Sequence, residues 1–156
     1  MSKPSAIAIG AHPDDIEFCM AGTLLQLKAV GWQIHYFNLS TGNLGSVKMD
    51  PRKTARTRAK EARTASRILG AKYHPSICDD LEIMYDVLTL RKVSAVIRKS
   101  NASIVLTHSP VDYMEDHTNT CRLAVTAAFT HGMPNFKSSP ATKSYGQKII
   151  TRKNTK

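Results

Sequence analysis

Four short apolar runs alternate with four longer stretches of helical spacing, and that alternation restricts the fold more than any other feature of the chain. The runs lie near 5–11, 33–39, 72–77 and 102–107, and the stretches near 16–30, 52–69, 86–99 and 117–131. Strands separated by helix-length segments pair in parallel, because each crossover needs about a dozen residues or more and a helix supplies them. The expected architecture is therefore α/β, an open, mainly parallel sheet wound on both faces by helices. Within the first helical stretch, Ile16, Met20, Leu24, Leu27 and Val30 share one face, and Gly31 follows as a stop. The second carries Arg52, Arg56, Lys60, Arg63 and Arg67 as one stripe, opposite Ala55, Ala59, Ala62, Ser66 and Leu69, which would pack closely on the sheet.

Chemistry is concentrated at the ends of two of these runs. His12-Pro13-Asp14-Asp15 comes directly off Ala6–Ala11, just before the first helical pattern. Such a position is the carboxyl edge of the sheet, where open α/β folds bind ligands. His12 and Asp15 can converge on one divalent ion as nitrogen and oxygen ligands, leaving Asp14 beside them as a base. Asp14 and Glu17 also have the spacing of a capping box, a purely structural reading that leaves His12 and Asp15 unexplained. The second segment, Asp112-Tyr113-Met114-Glu115-Asp116-His117, follows the run Ala102–Leu106 and precedes another helix. His117 from that segment would complete a two-histidine, one-carboxylate set with a fourth place open to water, the composition of a catalytic zinc site.

These segments resemble the PIG-L/LmbE-like family of zinc-dependent de-N-acetylases. Its first motif is Ala-His-Pro-Asp-Asp, matched without change by Ala11 to Asp15, and its second is Asp-x-His-x-Asp-His. Ser40-Thr41-Gly42-Asn43-Leu44-Gly45-Ser46 and Arg58-x-x-Glu61, with Ile68-Leu69-Gly70 beyond, extend the resemblance over about residues 5–135. It implies a Rossmann-like domain over 1–136, a single zinc or other divalent ion on His12, Asp15 and His117, and Asp14 as general base. It also implies hydrolysis of the acetamide of an N-acetylated amino-sugar conjugate. Arg58, Gly42 and Asp112 are the expected substrate contacts. Alternatively, Arg58 is only the i,i+3 partner of Glu61. Met114 stands where most relatives carry a histidine, and a thioether can neither donate to an oxyanion nor protonate a leaving amine. Asp116, expected to orient that histidine, thus lacks its partner; the candidate substitutes are His108, at the end of the fourth run and equally readable as a structural loop residue, and Asp14 acting first as base and then as acid. The Ser40–Ser46 segment lacks the glycine spacing of a dinucleotide loop and is expected to be a flexible lip over the metal rather than a phosphate cradle.

The net charge of +10 points toward anionic partners only at first sight. Residues 137–156 hold six lysines and arginines and no acid, so the other 136 residues carry +4. Outside this basic tail, in which Tyr145–Thr151 has the pattern of a short strand, the basic groups are most concentrated over 52–67, and no aromatic residue interleaves that stripe to stack bases. A nucleic-acid-binding module is therefore the less favoured class, behind the hydrolase and behind a weak or inactive metal-binding relative. No apolar leader and no long apolar run are present, which argues for a cytoplasmic protein without a membrane span. Cys19, Cys78 and Cys121 are an odd number without close spacing, unlike a disulfide framework. The small-molecule substrate is the expected partner, and self-association stays open.

Overall fold

The computed structural model describes residues 3–146. Its centre is strand β1 (Ser5–Gly10), in which every residue is buried, so the sequence is apolar without alternation. β2 (Gln33–Asn38), β3 (Lys72–His74) and β4 (Ile104–Leu106) complete a four-stranded, all-parallel sheet in the order β3-β2-β1-β4. The chain moves outward from β1 to β3, then crosses back to place β4 on the other side of β1. The carboxyl ends of β1 and β4 therefore flank the point where strand order reverses, the usual crevice of a doubly wound sheet.

Two apolar layers hold the helices to this sheet. Ile7 and Ile9 of β1 face α4 (Val87–Ser100) and α5 (Glu115–Phe129), meeting Val93, Ile97, Leu123 and Ala124. Ala6 and Ala8 face the other way, toward Leu24 of α2 (Ala21–Ala29) and Ala62 and Leu69 of α3 (Pro51–Leu69). Each fully buried Ile or Leu here is worth roughly 1.5–3 kcal/mol relative to exposure. The basic stripe of α3 is exposed, while Ala62, Ser66 and Leu69 are buried as their spacing predicts.

The first helical stretch is broken. α1 covers Asp15–Cys19, and Met20 leaves helical geometry before α2 begins. Ile16, Met20 and Leu24 are nevertheless all buried, whereas Val30 is exposed, against the expected face. β3 stops at His74 because Pro75 has no N–H for the ladder. The strand expected at 145–151 lies mostly outside the described residues, and Tyr145 and Gly146 are not in a strand.

Candidate metal centre and cleft

The turn after β1 is shaped for close approach. A Cβ on Gly10 would lie 2.8 Å from Asn38 Oδ1 and 3.2 Å from Asp15 Cβ, so only glycine lets α1 start this near the sheet. Asp15 Oδ2 then accepts the His12 backbone N–H at 2.7 Å, closing the turn on itself. Asp14 adopts φ 114°, ψ −29° and makes no side-chain cap. The capping box is thus absent: Glu17 accepts instead from the Tyr36 hydroxyl at 2.8 Å.

His12, Asp15 and His117 come together from the turn after β1, the first residue of α1 and α5, with one ligand atom from each within 4.8 Å of the others. The second nitrogen of each imidazole is occupied. His12 Nε2–H donates to Asp116 Oδ2 at 2.9 Å, leaving Nδ1 toward Asp15 at 3.5 Å. His117 Nδ1 lies 3.2 Å from Asp112 Oδ1, leaving Nε2 toward Asp15 at 3.5 Å. Metal-ligating histidines are ordinarily fixed by such carboxylates. Burial alone would lower the His12 pKa, but the Asp15 and Asp116 carboxylates outweigh it and raise it to about 9. Burial opposes ionisation of Asp15, yet His108 and His12 hold its carboxyl well below the usual range. Without a cation the pair is a charged one, and this donor set fits a divalent ion of zinc type.

His108, Asp112 and His117 satisfy the same distance criterion. Their rings do not satisfy the chemistry: His108 and His117 stack 4.1 Å apart at 10°, so their in-plane lone pairs run parallel instead of converging. The planes of His12 and His117 are inclined at 54°. His108 is buried behind Asp15, outside the cleft lining, where its Nε2 accepts the Ala11 N–H at 2.9 Å. Its side chain braces the β1 turn against Asp15 and does not line the cleft, which places it away from the expected role of replacement acid.

Other expected roles are redistributed as well. Asp116, buried at 2% exposure, accepts both His12 Nε2–H and the Leu81 N–H at 2.9 Å, so it serves His12 and not the position of Met114. Asp112 accepts the Met114 N–H at 3.0 Å, which holds its carboxyl below the ordinary range, and it faces His117 instead of lining the cleft. Arg58 lines the cleft but spends its guanidinium on the protein: on the Pro13 carbonyl, on Asp14 Oδ2 at 2.5 Å and on Glu61 Oε2 at 2.8 Å. The loop at 41–45 is tied down. Gly42 N–H and Leu44 N–H donate to the two oxygens of Asp80 at 2.7 and 3.1 Å, and Thr41 Oγ1 donates to Asp79 at 2.8 Å. Amides already bound to a carboxylate cannot cradle phosphate, and a loop held this way is a wall rather than a flexible lip. Asp80 is the residue the sequence reading missed; the signal was Asp79-Asp80 leaving β3 toward the same sheet edge.

The cleft so formed has a volume of about 490 Å³ and includes His12, Asp14, Asp15, Met114 and His117, with Leu44, Leu81 and Tyr113 as apolar rim. Among the described residues no helix is long and apolar enough to cross a membrane. A parallel sheet with a two-histidine, one-aspartate cluster at its switch point defines an α/β fold with a donor set of metal-site type. The family model of PIG-L, described as GlcNAc-PI de-N-acetylase, matches residues 7–129, and the chain belongs to that family. It is 30% identical over 139 residues to the diacetylchitobiose deacetylase of Thermococcus kodakarensis, covering 85% of this chain and 52% of the relative. The N,N'-diacetylchitobiose deacetylase of Pyrococcus horikoshii superposes with a TM-score of 0.81 at 25% identity, covering 91% of this chain and 57% of that one. The 4-carboxy-2-hydroxymuconate hydratase of Pseudomonas putida also reaches 0.81, at 28% identity over 92% of this chain and 62% of that one. The chain spans just over half the length of these relatives.

Proposed function

We propose that the chain hydrolyses the acetamide of an N-acetylated amino-sugar conjugate with one zinc ion held by His12, Asp15 and His117. The convergence of those three side chains from two distant segments carries the reading. A zinc ion there supplies Lewis acidity toward water and toward the acetamide oxygen. Asp14, half-exposed beside the donor set, takes a proton from the attacking water and returns it to the amide nitrogen as the carbon–nitrogen bond breaks to give acetate and a free amine. Likeness to the two diacetylchitobiose deacetylases supports an N-acetylated amino sugar as the substrate class.

Hydration is the competing activity within the family. The hydratase relative is named for a carboxylated substrate. Arg58 is the sole lysine or arginine among the described residues lining this cleft, and two carboxylates already hold it. An uncharged acetamide suits such a cleft better than a polyanion does.

The test separates metal from chemistry. Asp15→Ala should lose stoichiometric zinc, whereas Asp14→Asn should keep zinc and lose acetate release from N-acetylglucosamine conjugates by about 100-fold or more. Full activity in the Asn variant removes Asp14 from the reaction. Stoichiometric zinc in the wild type with no acetate release from any such conjugate leaves a metal-binding relative without this activity.

A further inference from the structure

Arg58 reaches across 44 residues of sequence to a turn with no other tether at its carboxylate. Asp14 holds a left-handed φ of 114°, a conformation that costs a non-glycine residue about 1–3 kcal/mol and persists only where surroundings impose it. Its side chain caps nothing, so α1 does not repay that cost. Arg58 Nη2 instead donates to the carbonyl of Pro13 and the carboxylate of Asp14, the acceptors on either side of the strained bond. Arg58 Nη1 is held by Glu61, which fixes the plane of the guanidinium from the far side.

A second observation comes from the opposite wall. Gly42, with φ +73°, has no Cβ, and one built there would meet Arg58 Cγ at 3.1 Å, Arg58 Cβ at 3.2 Å and Pro13 Cδ at 3.1 Å. The arginine stem therefore packs against the bare face of Gly42, which Pro13 also approaches. Asp80 keeps that face in place by holding the Gly42 amide.

We infer that Arg58 is a positioning residue for Asp14: it clamps the Pro13–Asp14 turn in its left-handed form and is withheld from the ligand, so the cleft takes a substrate uncharged at that end. This deepens the hydrolase reading and rests on it. A phosphate or carboxylate on the substrate would have to take the guanidinium away from Asp14, disordering the base it needs.

Kinetics and spectroscopy of the zinc-loaded full chain test the assignment together. Arg58→Gln should lower kcat about 100-fold on a neutral N-acetylglucosamine conjugate with KM changed less than about twofold, the pattern of lost orientation. Arg58→Lys, whose lone ammonium replaces two nitrogens and cannot keep Glu61 as well as the turn, should recover only part of the loss, and ethylguanidinium should partly rescue Arg58→Ala. A raised KM with kcat preserved, or faster wild-type turnover of the 6-phosphorylated conjugate than of the neutral one, would overturn it. The readout without catalysis is the amide spectrum: Asp14 and Ile16 resonances should move in Arg58→Gln, and unmoved resonances refute the clamp. Should the wild type release no acetate, the hydrolase reading fails while the spectra still decide whether the clamp exists.

Discussion

Two histidines outside the cleft lining set a pH dependence that can be worked out from the structure. His35 of β2 and His74 of β3 are 3% and 5% exposed, and His35 Nδ1 lies 2.8 Å from His74 Nε2. One of these nitrogens must be a bare acceptor, so at least one of the two rings is neutral. Burial, then the neighbouring imidazole and Lys72, pushes His35 down from 6.5 to about 4; burial, then Lys99 and Lys72, does the same to His74. A base whose pKa is lowered by folding stabilises the fold fully above its unfolded value and loses that contribution as pH falls below it. At pH 5.5 the unfolded chain has protonated both rings and the fold neither, which costs about 1.4 kcal/mol per ring, or ~3 kcal/mol for the pair. His12 has the opposite sign, its raised pKa favouring the fold as pH falls from 9 toward 6.5. Wild type alone would therefore mix the two effects. The measurement is urea unfolding in chelator at pH 7.5, 6.5, 5.5 and 4.5 for wild type and for His35→Leu/His74→Leu, read as the change in the difference between them. His12 is common to both proteins and cancels. Between pH 7.5 and 5.5 wild type should lose about 3 kcal/mol more than the double variant; parallel curves would refute the neutral, buried pair.

Three further perturbations bear on the site. Met114→His should raise deacetylation turnover by at least about 10-fold if the cleft lacks a side-chain acid, since general acid help is worth about 10²–10⁴-fold; a fall in kcat would show that the site already has its donor. Asp116→Ala should weaken zinc about 10–100-fold in a chelator competition, because His12 loses the acceptor at its Nε2. Unchanged affinity would leave Asp116 as a fold residue serving Leu81. Gly10→Ala places a methyl 2.8 Å from Asn38 Oδ1 and should cost about 1–3 kcal/mol in urea unfolding while displacing Asp15, so a variant of unaltered stability and zinc content would contradict the close approach at that turn.

The fold was legible because its signals are redundant. Fully apolar runs, helix-length spacers and a buried small-residue face on α3 all lead to a parallel sheet wound on both sides, and each is visible without contacts. The interruption at Met20 left no trace for a physical reason. Periodicity reports which face is buried, and Ile16, Met20 and Leu24 stay buried through the break. Strand ends were overestimated at β3 and β4 because apolar runs record burial, whereas pairing is limited by the neighbour: β4 meets β1 only from Ala6 to Ala8.

The cleft was legible in its metal-binding half and illegible in its supports. His12, Asp15 and His117 follow from residue type and from the sheet edge to which their segments lead. Which nitrogen each imidazole offers depends on side-chain rotation and on partners distant in sequence. Sequence logic joined Asp116 to position 114, two residues away, and so found a carboxylate without a partner. In three dimensions that carboxylate belongs to His12, 104 residues away. Substitution of a histidine by Met114 therefore does not orphan Asp116 or loosen the metal set, since none of the contacts made by His12, Asp15 and His117 passes through the Met114 side chain. On the proposed reading, metal retention and proton supply rest on separate groups. A change at 114 should move kcat while leaving zinc affinity within about twofold, the range within which independent sites add.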